Sequence, residues 1–235
     1  RNLNRIKRDV HEQFNRLLTE MLIGGVYCEA VTPDDIGYGS MTFTAYTSIH
    51  GGGLGPSASF HRAARSKHIG TLDVIRLLDP ETITTAAFQE SIEAGRGLLK
   101  ELGEIPREQV LYGTTFYVRK QWAESLIHLW TVTERLIELA WNRHVVASIQ
   151  PLPAKRLDFL RDHRTWTASA KIEVLSQKGL LKPELYDVLT EVRKARNSFA
   201  HEGTSPTHEI ATKALTSCFD LASLCASNFQ DKDLF

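Results

Sequence analysis

The sequence predicts a mostly α protein: an all-α bundle over residues 110–235, and over residues 1–109 an N-terminal α/β or helical cap containing a short β hairpin. Three observations carry that prediction. Apolar residues recur at helical spacing through most of the second half, strand-like alternation is confined to a stretch before residue 50, and glycine or proline stands where elements should stop. With 235 residues, 42% of them hydrophobic, the chain can bury a real core, and 9% aromatic residues argue against disorder.

Val10, Phe14, Leu17, Leu18, Met21 and Leu22 repeat at helical spacing and stop at Gly24-Gly25, which predicts an amphipathic first helix with a glycine terminator. Val26 to Val31 and Met41 to Ile49 are rich in β-branched and aromatic residues. Met41, Phe43, Ala45 and Ile49 alternate with Thr42, Thr44, Tyr46 and Ser48, so two short strands are expected. Gly51 to Gly55 reads as a loop, and Asp79-Pro80 as the cap and first turn of a helix that ends near Gly103.

From Thr114 to about Ser148, Trp122, Leu126, Trp130, Thr133, Ile137 and Trp141 sustain one apolar face, which predicts a single long helix closed by Pro151 and Pro153. A basic, aromatic stretch follows, then a short helix ending at Gly179. A helix from Pro183 to about Phe199 presents Leu185, Val188, Leu189, Val192 and Phe199 to the core. The last helix is expected to start at Ser205-Pro206 and to run about 24 residues to Phe229, before a polar tail that frays.

Charge excludes little. Lys+Arg and Asp+Glu balance at 28 each, so any nucleic-acid site must be a local patch rather than a global field. The longest apolar runs, Met21 to Val26 and Leu221 to Ala226, fall far short of the roughly 20 residues that cross a bilayer, so no membrane partner is expected. Cys28, Cys218 and Cys225 form no CxxC pair and read as buried thiols in a reducing, cytoplasmic setting. The chain begins at Arg1 with no signal-peptide pattern, and reads as a trimmed chain or a fragment.

The candidate chemistry lies between the last two helices, in Arg193-Lys194-Ala195-Arg196-Asn197-Ser198-Phe199-Ala200-His201. At 100° per residue Arg196 points along its helix's apolar face, within about 40° of Val192. A buried guanidinium needs a partner, and Glu134, set in the apolar stripe of the long helix, offers one; the expectation is a Glu134–Arg196 ion pair. The alternative is that either side chain lies at a stripe edge and reaches water. His201 falls where its helix should end, exposed and titratable. It can move a proton while Arg196 stabilises charge on a phosphate and Asn197 orients either, a trio suited to metal-independent RNA cleavage. The plainer alternative is that these residues only satisfy backbone groups at a helix end.

R-N-S-F-A-H at a helix end, preceded by a long helix carrying Leu129-Trp130-Thr131-Val132-Thr133-Glu134, resembles the HEPN superfamily, most nearly its Apea-like branch, over about residues 114–229. That resemblance implies an antiparallel helical bundle, pairing as a homodimer that brings two motifs to a shared cleft. It implies a metal-independent endoribonuclease acting on RNA in a toxin–antitoxin or antiviral defence setting, with an antitoxin or other regulatory protein as a further partner. Arg196, Asn197 and His201 would be catalytic, and Glu134 would match the acidic position of the first bundle helix. The resemblance equally covers a non-catalytic dimerisation or binding module, part of a larger protein.

Other signals are weaker. His50-Gly51-Gly52-Gly53 lacks both a G-x-S-x-G nucleophile and the Lys-Ser/Thr of a P-loop, and reads as an ordinary loop. His11, His61, His68, His163 and His208 have no metal-ligand spacing, so no metal and no cofactor is expected. Lys155, Arg156, Arg161, Arg164 and Trp166, with His163, form the densest basic and aromatic cluster. They are candidates for RNA contact together with Arg193 and Lys194, although Asp158 and Asp162 dilute the cluster and a solvated amphipathic helix explains it as well. Arg62, Arg65, Lys67 and His68 read as a charged loop.

Overall fold

The structure, a computed structural model, describes residues 2–36, 39–43, 47–51, 83–103, 105–149 and 151–226. It is mostly α. The described helices are α1 (Asn2–Ile23), α2 (Thr85–Leu102), α3 (Arg107–Val118), α4 (Trp122–Trp141), α5 (Ala154–Arg161), α6 (Ala168–Gln177), α7 (Pro183–Glu202) and α8 (His208–Cys225). Strands β1 (Gly39–Phe43) and β2 (Thr47–Gly51) pair antiparallel, with Met41 opposite Ile49.

α4 is the centre of the core. Leu126, Leu129, Trp130, Val132, Leu136 and Ile137 are all buried, as the apolar repeat requires. α8 lies alongside it in the same direction: the Trp122 and His208 rings meet at 4.9 Å where both helices begin, and Arg143, just past α4, donates to the carbonyl of Cys225 at the far end. α3 folds back on α4, with Ser125 Oγ donating to Gly113 O at 2.9 Å and Gln109 Oε1 lying 2.5 Å from His128 Nδ1. α7 runs antiparallel to α8, held at the surface by Lys213 against Glu191 at 2.8 Å. One hydrophobic cluster takes in Leu22, Ala30, Leu99 and Leu102 from the first half as well as Leu126, Leu189 and Leu221 from the second.

α1 and α2 pack antiparallel at backbone contact. A Cβ on Gly95 would sit 1.8 Å from Glu20 O, and one on Gly24 would sit 1.8 Å from Ser91 O. Ser91 Oγ donates to Met21 O at 2.8 Å in the same seam, so only small residues fit there.

Five expectations need correction. Val26 to Val31 is not a strand. Its polar backbone finds side chains instead: Asn15, fully buried, accepts from Val31 N at 2.8 Å and donates to Val31 O at 2.9 Å, and Ala30 N donates to Thr115 Oγ1 at 2.9 Å. Met41 to Ile49 spans parts of two strands rather than one. The single helix expected from Thr114 to Ser148 is broken at Arg119-Lys120, where Lys120 takes φ 60°, and after Trp141 it passes through a π-helical turn at Asn142–Val146 and a 3-10 turn at Ala147–Ile149. The last helix starts at His208 rather than Ser205-Pro206, because the Thr207 hydroxyl caps it by accepting from Ile210 N, and it ends at Cys225 rather than Phe229, with Ala226 already extended. The helix expected to open at Asp79-Pro80 starts at Thr85, because the Thr84 hydroxyl caps it by accepting from Ala87 N at 3.1 Å. The glycine-rich stretch past Gly51, the Arg62–His68 patch, Asp79-Pro80 themselves and the tail beyond residue 226 lie outside the described residues.

Elsewhere sequence and structure agree: α2 ends at Gly103, α6 gives way to Gly179 at φ 71°, and α7 starts at Pro183. Cys218 and Cys225 are buried thiols and Cys28 is half-buried. Burial pushes Cys28 and Cys218 up to about 12.

Candidate functional site

The motif residues occupy the last two turns of α7, whose C-cap Gly203 takes the left-handed φ of 72° that ends the helix. Arg196 and Asn197 are half-buried and His201 is exposed. Arg196 Nη1 donates to Asn197 Oδ1 at 3.1 Å, and among the described residues no carboxylate lies within ion-pair distance of this guanidinium. Its charge is therefore free for a ligand.

The expected Glu134–Arg196 ion pair is absent from the described residues. Glu134 lies on the outer stripe of α4 with Thr131 and Arg135, all three exposed, so its carboxylate keeps its hydration and needs no buried partner. The carboxylate that does turn inward is one turn later. Glu138 takes the ammonium of Lys171, whose side chain is only 3% exposed. Sequence reasoning missed this pair, although Lys171 stands one residue before the apolar Ile172 and four before Leu175, on the side of α6 that faces the core.

Helical geometry sorts the motif. Asn197 and His201 are four residues apart and share a face, as does Arg193 four residues earlier, while Arg196 diverges from His201 by about 140° around the axis. The stripe Arg193–Asn197–His201 thus sets a cation, an amide and an imidazole in a row, with exposed Lys194 beside it. Ser198 Oγ donates to Glu202 Oε2 at 2.7 Å along the neighbouring row. The C-terminal end of a helix carries partial negative charge, so a phosphate held there depends on these cations.

The basic cluster lies elsewhere. Lys155, Arg156, Arg161 and Arg164 are exposed on α5 and the turn after it, and Phe159 among them is 52% exposed. Asp162 is held below the usual carboxylate range by bonds from the Thr165 hydroxyl and the Arg164 N–H, so it is committed to the turn rather than to neutralising its neighbours. Trp166 is half-buried, its ring tilted 36° against that of Trp141 with centroids 4.7 Å apart. Among the described residues no group of three His, Cys, Asp or Glu could hold a metal ion, and no helix is long and apolar enough to cross a membrane.

No protein-family model, no curated protein and no solved structure matches the chain.

Proposed function

We propose that the chain is a metal-independent endoribonuclease whose α3–α8 region is a HEPN-like helical bundle, with α4 and α8 parallel rather than antiparallel as expected. The observation that carries this reading is the surface row Arg193–Asn197–His201 at the end of α7, with the Arg196 guanidinium bonded only to Asn197 among the described residues. Phosphodiester cleavage by an internal nucleophile needs proton transfer and anion stabilisation, and these side chains supply both. His201 takes the ribose 2′-hydroxyl proton as O2′ attacks phosphorus. Arg193, on the face of His201, offsets the charge that gathers on the phosphoryl oxygens; Arg196, which positions Asn197, would join it from the second copy of a homodimer because it points about 140° away from His201 on its own helix. The P–O5′ bond breaks and the 5′-oxygen takes a proton, leaving a 2′,3′-cyclic phosphate and a 5′-hydroxyl.

A second copy in a homodimer would bring a second imidazole to serve as the acid, and the α5 cations Lys155, Arg156, Arg161 and Arg164 offer contacts for the RNA backbone. Restraint by an antitoxin or other regulatory protein, and a cytoplasmic defence setting, belong to the same reading. An interaction module would favour a buried or occluded His201, and this one is exposed in the single chain. The test is cleavage of total tRNA, mRNA and rRNA in excess chelator by the wild-type chain, Arg196→Ala and His201→Ala. Activity that survives chelation and is lost in both variants supports the proposal. An intact dimer that cuts none of the three RNA classes overturns it in favour of the non-catalytic module.

A further inference from the structure

Two hollows open beside the C-terminal half of α4 and share Glu138 and His163. One, of about 410 Å³, is completed by Asn142, Val146 and Arg161; the other, of about 550 Å³, by Glu134, Arg135, Trp166 and Lys171. None of the α7 motif residues lines either one. Their size falls in the range of small-ligand sites.

The walls are built rather than incidental. Lys171 is buried and pinned on Glu138, with His163 Nδ1 3.8 Å from the same carboxylate. The π-helical turn at Asn142–Val146 begins here, and such turns concentrate at functional sites. Asn142 Nδ2 donates to Glu138 Oε1 at 3.1 Å, which fixes the amide and leaves Asn142 Oδ1 buried with no partner among the described residues; Trp166 Nε1 is buried in the same condition. Buried polar atoms without partners are exceptional in folded proteins and mark places where something else bonds.

The lining of the smaller hollow combines two kinds of group. Its acceptors are the Glu138 carboxylate, which already takes Lys171 and Asn142 Nδ2, and the unpartnered Asn142 Oδ1; its donors are the exposed Arg161 and His163. A complementary ligand offers N–H groups to the acceptors and an anion to the donors. The flank outside is the strip of exposed Lys155, Arg156 and Arg164 around Phe159, the composition that tracks a single-stranded backbone and stacks its bases. We infer that this cleft receives one unpaired nucleotide of an RNA strand, its base presenting N–H donors to Glu138 and Asn142 and its phosphate lying against Arg161 and His163. Guanine, with N1–H and N2–H side by side, matches two acceptors; uracil offers one N–H. The inference rests on the RNA reading above but uses none of its catalytic residues.

The test titrates the intact His201→Ala chain, which keeps binding separate from cleavage, with GMP, UMP, inorganic phosphate, and single-stranded hexamers containing one central G or only U. Tryptophan fluorescence near Trp166 and calorimetry report occupancy. Expected are saturable binding of the G hexamer, GMP binding more weakly, and UMP and phosphate weaker still. Arg161→Ala, an exposed change, should weaken G-hexamer binding about tenfold. Asn142→Ala, checked by circular dichroism to be folded, should bring G and U within about twofold of each other. Binding that neither variant alters, or no saturation by any probe up to about 5 mM, overturns the inference. Saturation by GMP with no binding of the hexamer overturns the RNA strand as the occupant in favour of a free nucleotide. Hexamer binding as expected with no RNA cleavage by the wild type would leave this cleft standing and remove only the nuclease reading.

Discussion

Lys171 of α6 reaches Glu138 of α4 across a gap of 33 residues in sequence, with 3% of the lysine side chain exposed and 19% of the glutamate. The two exposures are unequal, and that inequality decides which partner is the more dangerous to lose. An ammonium left in a dry environment without its carboxylate has nowhere to recover hydration, whereas Glu138 can still reach solvent.

Glu138→Gln should therefore destabilise the fold by about 3 kcal/mol, and Lys171→Met, which fills the same space without a charge, by clearly less. Urea unfolding of the two variants and of the double variant checks this. Equal losses, or a larger loss in Lys171→Met, would mean that the pair is not held by lysine burial.

Asn15 acts as a side-chain substitute for a neighbouring strand. Its amide bonds both the N–H and the C=O of Val31 and also donates to Tyr112 Oη at 3.0 Å. Removing it in Asn15→Ala leaves the Val31 N–H unpaired, while the Val31 carbonyl keeps His11 Nε2 at 2.8 Å, at an expected cost of about 1–3 kcal/mol in urea unfolding. Thr131→Ala, on the exposed face of α4, should stay within about 0.5 kcal/mol and serves as the control.

Gly95 has no room for a methyl group, because the obstacle is the backbone of Glu20 rather than a flexible side chain. Gly95→Ala should lower stability by at least about 2 kcal/mol, whereas Gly97→Ala, which meets nothing within 4 Å, should be neutral or stabilising since alanine favours the helix. Thermal unfolding of the pair distinguishes close helix packing from simple propensity.

Burial holds the His128 imidazole below its usual value, against a smaller opposing effect of Glu124, and the ring stacks on Phe116 at 5.2 Å. The unfolded chain therefore binds this proton more readily than the folded one. The resulting stability is full above about pH 6.5 and is lost as pH falls through the unfolded value towards the folded one. Melting temperature should drop between pH 7.5 and 5, and His128→Gln should flatten that slope. An unchanged slope in the variant would assign it to other groups.

The sequence made the core of the bundle legible because its burial follows a 3.6-residue period: Leu126, Trp130, Ile137 and Trp141 could be placed on one face by counting alone. Helix ends marked by glycine or proline were legible for the same local reason, at Gly103, Gly179 and Pro183. The break at Lys120 was not, since a lysine at positive φ carries no glycine-like signature and the apolar face resumes in phase after it. Nor was the fate of Val26 to Val31, whose β-branched composition reads as a strand until Asn15 and Thr115 are brought to it by the tertiary fold. Of the candidate site, the placement of Arg196, Asn197 and His201 at a helix end could be read from spacing. That Glu134 leaves Arg196 without a carboxylate could not, because an angle of about 40° separates the exposed stripe of Glu134 from the inward turn of Glu138, which pairs with Lys171, and only packing fixes which way the helix is rotated.

The most direct measurement of the central claim is the chemistry of the cut ends. RNA incubated with the wild-type chain in excess chelator should yield fragments ending in 2′,3′-cyclic phosphate and starting with 5′-hydroxyl. His201→Ala should cut at least about a hundredfold more slowly while remaining folded. Fragments bearing 3′-hydroxyl and 5′-phosphate ends, or equal cleavage by His201→Ala, would contradict a role for the α7 row in internal 2′-hydroxyl attack.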